Sequence, residues 1–430
     1  MVSPDPRESV LEPSRLDATA AAAAPASRGL VDRLIRSALV GRLKHWAVGR
    51  LTVHLPDGTV LTAGERGAEP HATLRVANER FFREFAFRGD VGAGESYMNG
   101  DWQVDDLPRF IGLALANQAA LAMESPLTRL LNVPNDLRHR LRGNTRAGSR
   151  RNIHAHYDLS NELFALFLDP SMTYSSAVFA SPGDTLAQAQ QRKFARIADR
   201  LGIGPGDHVL EIGCGWGAFA MFAARTYGCR VTGITISQEQ FDLATRRVRE
   251  AGLSNRIEIR LCDYRDVRGR FDRIVSIEML EAVGREHWAA FFEACDRALA
   301  PGGQVGIQTI SMPDHRFDEY ARHCDWIQKY VFPGGLLPSI SEMCRAMGRR
   351  TALTIRHVDD IAPHYAETLA RWRQTFFARL PEVRALGFDD RFVRMWDFYL
   401  ASCEALFRTR SLGTLQLVLG RAGEVPTVTA

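Results

Sequence analysis

Short apolar segments alternate with amphipathic segments through the middle of the chain, from about residue 207 to residue 310. The apolar segments predict strands near 208–212, 230–235, 257–261, 272–277 and 304–310, and the amphipathic segments predict helices from 217, from 238 and over 286–299. Strands that alternate with helices form a mainly parallel sheet with helices on both faces, which is an α/β fold. Two later apolar stretches, at 351–358 and 413–420, predict an added pair of strands at one edge.

The N-terminal part of the chain has a different pattern. Residues 51–62 alternate in hydrophobicity on both sides of Pro56-Asp57-Gly58, which predicts a hairpin. A chain of 430 residues is longer than one ordinary core requires, so two domains are expected. We predict a disordered tail over 1–27, a small α+β domain over 28–136, a basic linker over 137–152 and a larger domain over 153–430. The alanine run in the tail is too short and too weakly hydrophobic to be a signal core.

One predicted strand runs into three alternate glycines. Gly213, Gly215 and Gly217 lack the side chains that would keep a ligand away from the backbone, and ligands bind such sheets at the carboxyl ends of strands. The G-x-G-x-G spacing differs from the G-x-G-x-x-G of dinucleotide sites, and 233–237, about twenty residues on, contains no acid for a ribose. The spacing therefore argues against NAD. Glu211, two residues before the first glycine, instead resembles the loop of S-adenosylmethionine methyltransferases, in which a carboxylate meets the cationic end of the cofactor.

Composition limits the classes of protein that the chain can represent. Hydrophobic residues make up 46%, yet no apolar stretch reaches the roughly eighteen residues of a membrane-spanning helix. The seven cysteines include no C-x-x-C pair, so we predict reduced thiols in a cytoplasmic protein, with neither a metal site nor a disulfide framework. A formal charge of +4 is too small to indicate a nucleic-acid partner.

The basic residues are concentrated in two places. Six arginines and no acids occur from Arg138 to Arg151, a segment that we call the arginine stripe. The stripe is either a solvated linker or a surface for anionic phospholipid, where each basic side chain contributes about 1 kcal/mol. A second cluster, which is either packed on the N-terminal domain or part of an interfacial helix, consists of Arg28, Arg33, Arg36, Arg42 and Lys44. We therefore expect peripheral association with the inner face of the membrane as one outcome.

Several ordered motifs carry a resemblance to a known family. They are HAHYDLSNELFALFLDPSMTYSSAVF at 154–179, TLAQAQQRK at 185–193, GITISQEQ at 233–240, DYRD at 263–266, RIVSIEMLEAVG at 273–284, KYVFPGG at 329–335, PHYAETLARW at 363–372 and SCEALFR at 402–408. Through them the last two thirds of the chain resembles the cyclopropane fatty acid synthase family, which includes the mycolic acid and tuberculostearic-type fatty acid methyltransferases. GESYMNGDW at 94–102 extends a looser resemblance into the N-terminal region.

The resemblance implies a class I methyltransferase fold with a Rossmann-like sheet, and S-adenosylmethionine as the cofactor. It implies methyl transfer to the cis double bond of an unsaturated acyl chain in phospholipid, giving a cyclopropane or a methyl-branched or methylene fatty acid. Two alternatives stay open: a small-molecule N-methyltransferase of the coclaurine type, which shares the later motifs, and a lipid-binding protein without catalysis. A homodimer is also left open.

The resemblance assigns further cofactor contacts by position. They are Tyr174 and Ser175 near the sulfonium, Thr235, Ser237 and Gln240 on the ribose and methionine side, and Asp263 and Tyr264 on the adenine side. Ser237 and Gln240 also have the spacing of a capping box at the start of a helix, which would fix that turn beside the cofactor.

An unactivated alkene is a weak nucleophile, so methylation leaves a carbocation that must be kept from water and that aromatic rings stabilise. The aromatic candidates carried over by resemblance are Tyr174, Tyr330, Phe332, Tyr365 and Trp372. Ordinary core packing is the alternative for each of them. We predict that segments 315–345 and 360–410 are insertions that build the lipid pocket. Cys403 matches a cysteine long proposed as the active residue of the family, but a thiol buried in an apolar helix is usually inert, so a pocket wall is favoured.

The candidate base is where the sequence departs from the family. Cyclopropane synthases hold a bicarbonate ion with a cysteine, a glutamate, a histidine and a tyrosine, and the matching residues here are Ser176, Glu281, Gln308 and Tyr365. Gln308 cannot carry a proton as histidine does, which argues against bicarbonate. Glu278 stands where the family has a small residue, and on a helical turn it would share a face with Glu281. Two such carboxylates raise one pKa and form a built-in base; the alternative is that Glu278 binds the cofactor amine or caps a turn.

Overall fold

The computed structural model describes residues 30–121 and 160–424. The chain divides into two compact units, Met1–Leu131 together with Phe388–Ala405, and Asn132–Gly387 together with Leu406–Ala430. The larger domain predicted over 153–430 is therefore interrupted, because 388–405 belongs to the first unit. The predicted tail over 1–27 and the linker with its arginine stripe lie outside the described residues.

The described part of the first unit contains a four-stranded sheet with the order β2-β1-β3-β4. Its strands are β1 (Arg50–His54), β2 (Val60–Ala63), β3 (His71–Val76) and β4 (Trp102–Val104). β1 and β2 pair antiparallel on both sides of the Asp57-Gly58 turn, which confirms the predicted hairpin. Leu51 and Val53, at alternate positions of β1, are buried, as expected for a strand with one face on the core.

Helices cover this sheet and carry part of the second basic cluster. They are α1 (Leu30–Arg42), α2 (Arg80–Met98, interrupted at Gly89), α3 (Leu107–Ala116) and α4 (Gln118–Leu121). Arg36 on α1 forms ion pairs with Asp57 and Glu79. That side chain is used inside the unit, which supports the packed interpretation for Arg36, whereas Arg33 and Lys44 are exposed.

In its described part, the second unit is built on a seven-stranded sheet with the order β10-β11-β9-β8-β5-β6-β7. Its strands are β5 (His208–Ile212), β6 (Arg230–Thr235), β7 (Ile257–Leu261), β8 (Phe271–Ile277), β9 (Leu299–Ser311), β10 (Leu353–Asp360) and β11 (Gly413–Arg421). Strands β5 to β9 are parallel, and β10 and β11 add an antiparallel edge, as predicted. Chain order reverses at β5, which pairs with β6 on one side and β8 on the other. Ligands of such sheets bind at this switch point, beyond the carboxyl ends of the strands.

Helices connect and flank these strands. They are α5 (Asn161–Phe167), α6 (Leu186–Leu201), α7 (Ala218–Tyr227), α8 (Gln238–Glu250), α9 (Trp288–Ala298), α10 (Asp314–Tyr320), α11 (Trp326–Tyr330), α12 (Ile340–Gly348), α13 (Ala362–Ala378), α14 (Leu380–Ala385) and α15 (Asp390–Arg408), of which α15 is shared between the units. α6 begins at a capping box on Thr185 and ends at Gly202, and it packs Phe194 against Phe219 of α7. Within the described ranges, no helix is long and apolar enough to cross a membrane.

Candidate active site

The glycine loop follows β5 at the switch point of the sheet. Gly213, Gly215 and Gly217 have positive φ values of 80°, 51° and 82°, a conformation that glycine adopts without strain. A Cβ on Gly213 would lie 2.8 Å from Cγ of Met279, whereas a Cβ on Gly215 would meet no protein atom within 4 Å. The loop is therefore closed at Gly213 and open at Gly215, where a ligand can approach the backbone.

Glu211 lies in β5, two residues before the loop, and is buried. Its Oε2 has no hydrogen-bond partner among the described residues. Burial raises the pKa of Glu211 to about 8, while the backbone of Ala220 and the charge of Lys193 act in the opposite direction. An unsatisfied buried carboxylate is costly, so a ligand that brings a donor or a positive charge to Glu211 relieves that cost.

Polar side chains connect the end of β6 with the start of α8. Ser237 is the N-cap of α8 and accepts a hydrogen bond from the backbone nitrogen of Gln240 at 3.3 Å. Oγ1 of Thr235 donates to Oε1 of Gln240 at 2.8 Å and accepts from the backbone nitrogen of Ser237 at 3.1 Å. The predicted capping box is thus only half formed, because the side chain of Gln240 bonds to Thr235 instead of the N-cap backbone. All three residues are buried, so this turn is held in one arrangement.

Asp263 and Tyr264 follow β7. The buried carboxylate of Asp263 accepts from Nε and Nη2 of Arg265 at 2.8 and 2.6 Å. The ring of Tyr264 packs edge-on against Phe291, with 5.6 Å between ring centroids, and burial raises the pKa of Tyr264 to about 12. Both side chains have protein partners, and their contacts with adenine stay predictions.

The segment 173–177 is held from two sides. On one side, α6 presents Gln190, whose Nε2 donates to the carbonyl of Ser175 at 3.0 Å, and Lys193, whose Nζ donates to Oγ of Ser175 at 2.6 Å. On the other side, Oγ1 of Thr368 on α13 accepts from the backbone nitrogen of Ala177 at 3.1 Å. Lys193 is fully buried, and burial lowers the pKa of Lys193 to about 8.

Glu278 follows β8, has a positive φ of 49°, and receives three hydrogen bonds on its carboxylate. The backbone nitrogen of Ser176 (2.9 Å) and Nε2 of Gln308 (2.8 Å) donate to Oε1 of Glu278. The hydroxyl of Tyr365 donates to Oε2 at 2.7 Å, which leaves Oε2 able to accept one more hydrogen. Burial raises the pKa of Glu278, and Tyr365, the charge of Lys193, Gln308 and Ser176 act in the opposite direction.

Glu281 lies on a short helical turn, Leu280–Ala282, and faces different partners. Its Oε1 accepts from the hydroxyl of Thr309 and the backbone nitrogen of Ile310, whereas its Oε2 is buried without a partner among the described residues. Burial, with the charge of Glu278 as the next cause, raises the pKa of Glu281 to about 8, so Glu281 holds a proton at neutral pH. The prediction that both carboxylates share a helical face is wrong, because Glu278 precedes the turn in a left-handed conformation.

Gln308 is fully buried in β9 and is oriented by a chain of amides. Its Nε2 points to Glu278, so its Oε1 faces Gln416 on β11, whose Nε2 donates at 3.0 Å. Nε2 of Gln416 also donates to the carbonyl of Lys193 at 3.3 Å. These directed bonds make Gln308 a donor toward Glu278 rather than a ligand for a free anion.

An aromatic cluster lies beside these carboxylates. The ring of Trp372 on α13 is 5.2 Å from the ring of Tyr174 and 6.2 Å from that of Tyr365, centroid to centroid. These three predicted pocket residues are therefore brought together. Tyr330 packs instead against Trp326 on α11 at 5.3 Å, and Phe332 lies just after that helix.

Two further observations concern Cys403 and two residues that sequence reasoning missed. Cys403, a half-buried residue of α15, belongs to the first unit, whereas all the other candidates belong to the second, so its role stays a prediction. Sequence reasoning missed Gln190 and Lys193. Both lie on the buried face of α6 with Ile197, and polar residues on an apolar helical face are the signal that reveals them.

A sheet of this order with a glycine loop at its switch point is the fold of class I methyltransferases that use S-adenosylmethionine, and the chain is an enzyme of that class. Residues 144–417 match the family model described as mycolic acid cyclopropane synthetase. That match spans more than half of the chain, and the chain belongs to this family.

Individual relatives agree with the family. The chain is 42% identical over 415 residues to tuberculostearic acid methyltransferase UfaA1 of Mycobacterium tuberculosis, across 93% of each chain. It is 37% identical over 368 residues to cyclopropane-fatty-acyl-phospholipid synthase of Escherichia coli, across 83% of this chain and 90% of the relative. The solved structure of mycolic acid cyclopropane synthase CmaA1 complexed with SAH and CTAB has a TM-score of 0.58 at 32% identity and covers 63% of this chain and 97% of its own. Coclaurine N-methyltransferase, at 19% identity, a TM-score of 0.58 and coverage of 76% and 98%, shows the fold alone.

Proposed function

We propose that the enzyme methylates the cis double bond of an unsaturated acyl chain in phospholipid, and that Glu278 is its built-in base. The observation that carries the proposal is the convergence of Ser176, Gln308 and Tyr365 as donors on the carboxylate of Glu278. The family resemblance assigns the same three positions to bicarbonate, so the side chain of Glu278 takes the place of that ion. The names of two relatives, tuberculostearic acid methyltransferase and cyclopropane-fatty-acyl-phospholipid synthase, support the lipid substrate.

The residues around the glycine loop fit the cofactor. Gly215 leaves space beside the backbone, and the unpartnered Oε2 of Glu211 suits a cationic ligand group. The fixed turn from Thr235 to Gln240 closes the same site at the next strand. Ser175 directly precedes Ser176, whose backbone nitrogen donates to Glu278. When bound, S-adenosylmethionine supplies an electrophilic methyl group.

Glu278 has the geometry of a proton acceptor. Methylation of the double bond leaves a carbocation on the acyl chain, and Oε2 of Glu278 accepts the proton that the cation loses while the released C–H electron pair forms the new bond. Oε2 is the acceptor because Oε1 already receives two hydrogen bonds. Burial raises the pKa of Glu278, which makes it a stronger base near neutral pH. The rings of Tyr174 and Trp372 keep water away and face the positive charge.

The position of the cation when the added methyl group loses its proton decides the product. Loss with closure onto the neighbouring cationic carbon gives a cyclopropane, whereas loss after a hydride shift has moved the cation onto the methyl-bearing carbon gives a methylene group. The replacement of the family's cysteine and histidine by Ser176 and Gln308 favours the methylene product. A saturated methyl branch needs a hydride donor in addition and lies outside the reaction that we propose.

Purified enzyme with S-adenosylmethionine and vesicles of unsaturated phospholipid tests this function. We expect acyl chains that gain one carbon, and NMR and catalytic hydrogenation identify the product, because a ring and a methylene group add the same mass. Cofactor binding without any methylated lipid would support the lipid-binding alternative. Methylation of small amines but not of lipid would support the N-methyltransferase alternative.

Peripheral attachment to the cytoplasmic face of the membrane is part of this proposal. The arginine stripe from Arg138 to Arg151 contains no acid that could neutralise it locally. Arg33, Leu34 and Lys44 in the first unit are exposed, and Leu34 is 61% exposed despite its apolar side chain. Basic and apolar groups together suit an anionic phospholipid surface.

A further inference from the structure

Lys193 takes no part in the reaction described above, although it lies beside its base. Lysine occurs only at positions 44, 193 and 329, and all other basic side chains apart from histidine are arginines. Lys193 is fully buried, its Nζ donates to Oγ of Ser175, and it lies 4.4 Å from the centre of the Phe194 ring. Within the described residues, its Nζ is thus bonded to a hydroxyl and not to a carboxylate. Burying an ammonium group in this way is costly, so its presence requires an explanation.

We infer that Lys193 is a positioning residue for methyl transfer, which orders both donors to Oε1 of Glu278 and places a buried positive charge beside that carboxylate. The inference deepens the proposed function and rests on the role of Glu278 as the base.

Two chains of hydrogen bonds connect Lys193 to Glu278. In the first, Nζ of Lys193 holds Ser175, and the next backbone nitrogen, that of Ser176, donates to Oε1 of Glu278. In the second, the carbonyl of Lys193 accepts from Gln416, which orients Gln308 as the other donor to Oε1. The side chain of Lys193 therefore orders the Ser176 donor, and its backbone carbonyl anchors the amides that orient Gln308, so that Oε2 is left as the proton acceptor.

The charges around Lys193 agree with this geometry. Glu278, Asp169 and Glu211 are the groups whose charges act on Lys193, and they favour its protonated form against burial. In return, the charge of Lys193 lowers the pKa of Glu278, as the hydroxyl of Tyr365 also does, against the larger effect of burial. Burial and then the charge of Glu278 raise the pKa of Glu281, so Glu281 adds no charge of its own near neutral pH. Lys193 is the cation of this set, and a compact ammonium suits the small space better than a planar guanidinium.

The test compares Lys193→Met with a matched control, Gln190→Met, by measuring kcat against pH. Gln190 is also fully buried on α6 and also holds Ser175, but it is uncharged. Loss of the positive charge raises the pKa of Glu278, and a base works only when it is deprotonated. In Lys193→Met the fall of kcat on the acidic side of the pH profile should therefore move to higher pH by about one unit, and the lost activity should be largely recovered in alkali. Gln190→Met should lower kcat without shifting the pH at which kcat falls on the acidic side.

Two further variants separate the possible failures. In a Glu278→Gln background, Lys193→Met should cause little additional loss, because the group on which it acts is gone. If Glu278→Gln is impaired but Lys193→Met leaves the pH profile of kcat unshifted, the inference on Lys193 alone is overturned. If Glu278→Gln has a normal rate, the proposed base is overturned. If Lys193→Met does not fold, Lys193→Arg keeps the charge and should show a lower kcat with an unshifted pH profile. A shifted pH profile in Lys193→Arg would contradict the role of the charge.

Discussion

The two sides of the active site are assembled in different ways. On the cofactor side, the contacts are local: the glycine loop is one turn after β5, and Thr235 bonds to Gln240 five residues away. On the base side, Glu278 collects donors from Ser176, Gln308 and Tyr365, which lie 102, 30 and 87 positions away in the chain. The cofactor side depends on backbone conformation, and the base side depends on the packing of distant elements.

Because of this difference, we expect that the cofactor side and the base side can be changed separately. The cofactor side needs small residues with positive φ and tolerates little else. The base side needs a complete set of donors around the half-buried carboxylate of Glu278, because a partly satisfied network of buried polar groups is costly. A variant on one side should therefore leave the other side unchanged, and measuring both sides shows whether they are independent.

The largest effect is expected from Gly215→Val. Valine is strained at a φ of 51°, and its side chain fills the open space beside the loop, so binding of S-adenosylmethionine should be lost in calorimetry. The control is Gly202→Val, which imposes a comparable strain at a φ of 60° in a position where a Cβ also meets no atom within 4 Å. Unchanged cofactor binding by Gly215→Val would remove the loop from the site.

Glu278→Gln should lower kcat by about a hundredfold or more, as loss of a positioned base usually does. Affinity for S-adenosylmethionine should stay close to that of the wild type, because Glu278 acts on the acyl cation. Steady-state kinetics and calorimetry measure the two quantities. The control is Glu286→Gln, an exposed carboxylate a few residues along the same segment. A large loss of cofactor affinity would instead identify Glu278 as a ligand of the cofactor amine.

The same difference explains how much the sequence predicts. The strands over 230–235 and 257–261 and the edge pair β10 and β11 follow the hydrophobic pattern, because local periodicity reports which face is buried. The glycine loop is equally evident. The donors around Glu278 could be named only by family resemblance, since nothing in the spacing of Ser176, Gln308 and Tyr365 shows that they meet.

Three other features of the structure could not be predicted from the sequence, because they depend on contacts that form only in the folded protein. The half-formed capping box depends on Thr235, which competes for the side chain of Gln240. The left-handed backbone of Glu278 is held by the hydrogen bond from its backbone nitrogen to the carbonyl of Gln308 on the adjacent strand, at 2.7 Å. The inclusion of 388–405 in the first unit is a long-range property of the chain, which no local pattern reports.

A smaller effect is expected from Glu211→Gln on the cofactor-free enzyme. The pKa of Glu211 is raised from 4.5 to about 8 in the folded protein, so the folded state holds the proton more tightly and stability falls as pH rises through this window. Glutamine removes this penalty, and the variant should melt a few degrees above the wild type at alkaline pH, with little difference in acid. Thermal unfolding at several pH values measures the shift. An equal shift at every pH would assign it to packing instead of charge.

The smallest effect concerns the membrane. If the arginine stripe holds the enzyme on anionic lipid, binding to anionic vesicles should weaken with salt, because charges are screened over about 8 Å at physiological ionic strength. Replacing the arginines from Arg138 to Arg151 by serine should remove the salt dependence while methylation of detergent-dispersed lipid continues. Equal binding to neutral and anionic vesicles would return the stripe to the linker interpretation.

The central claim is that a carboxylate of the chain replaces bicarbonate, and the most direct measurement is the rate of lipid methylation by wild-type enzyme as bicarbonate is removed and then restored. Glu278 already receives the donors that the ion would need, so the rate should be the same in carbonate-free buffer and after bicarbonate is added. A rate that collapses without bicarbonate and returns when it is restored would contradict the account and make Ser176 and Gln308 ligands of the free ion.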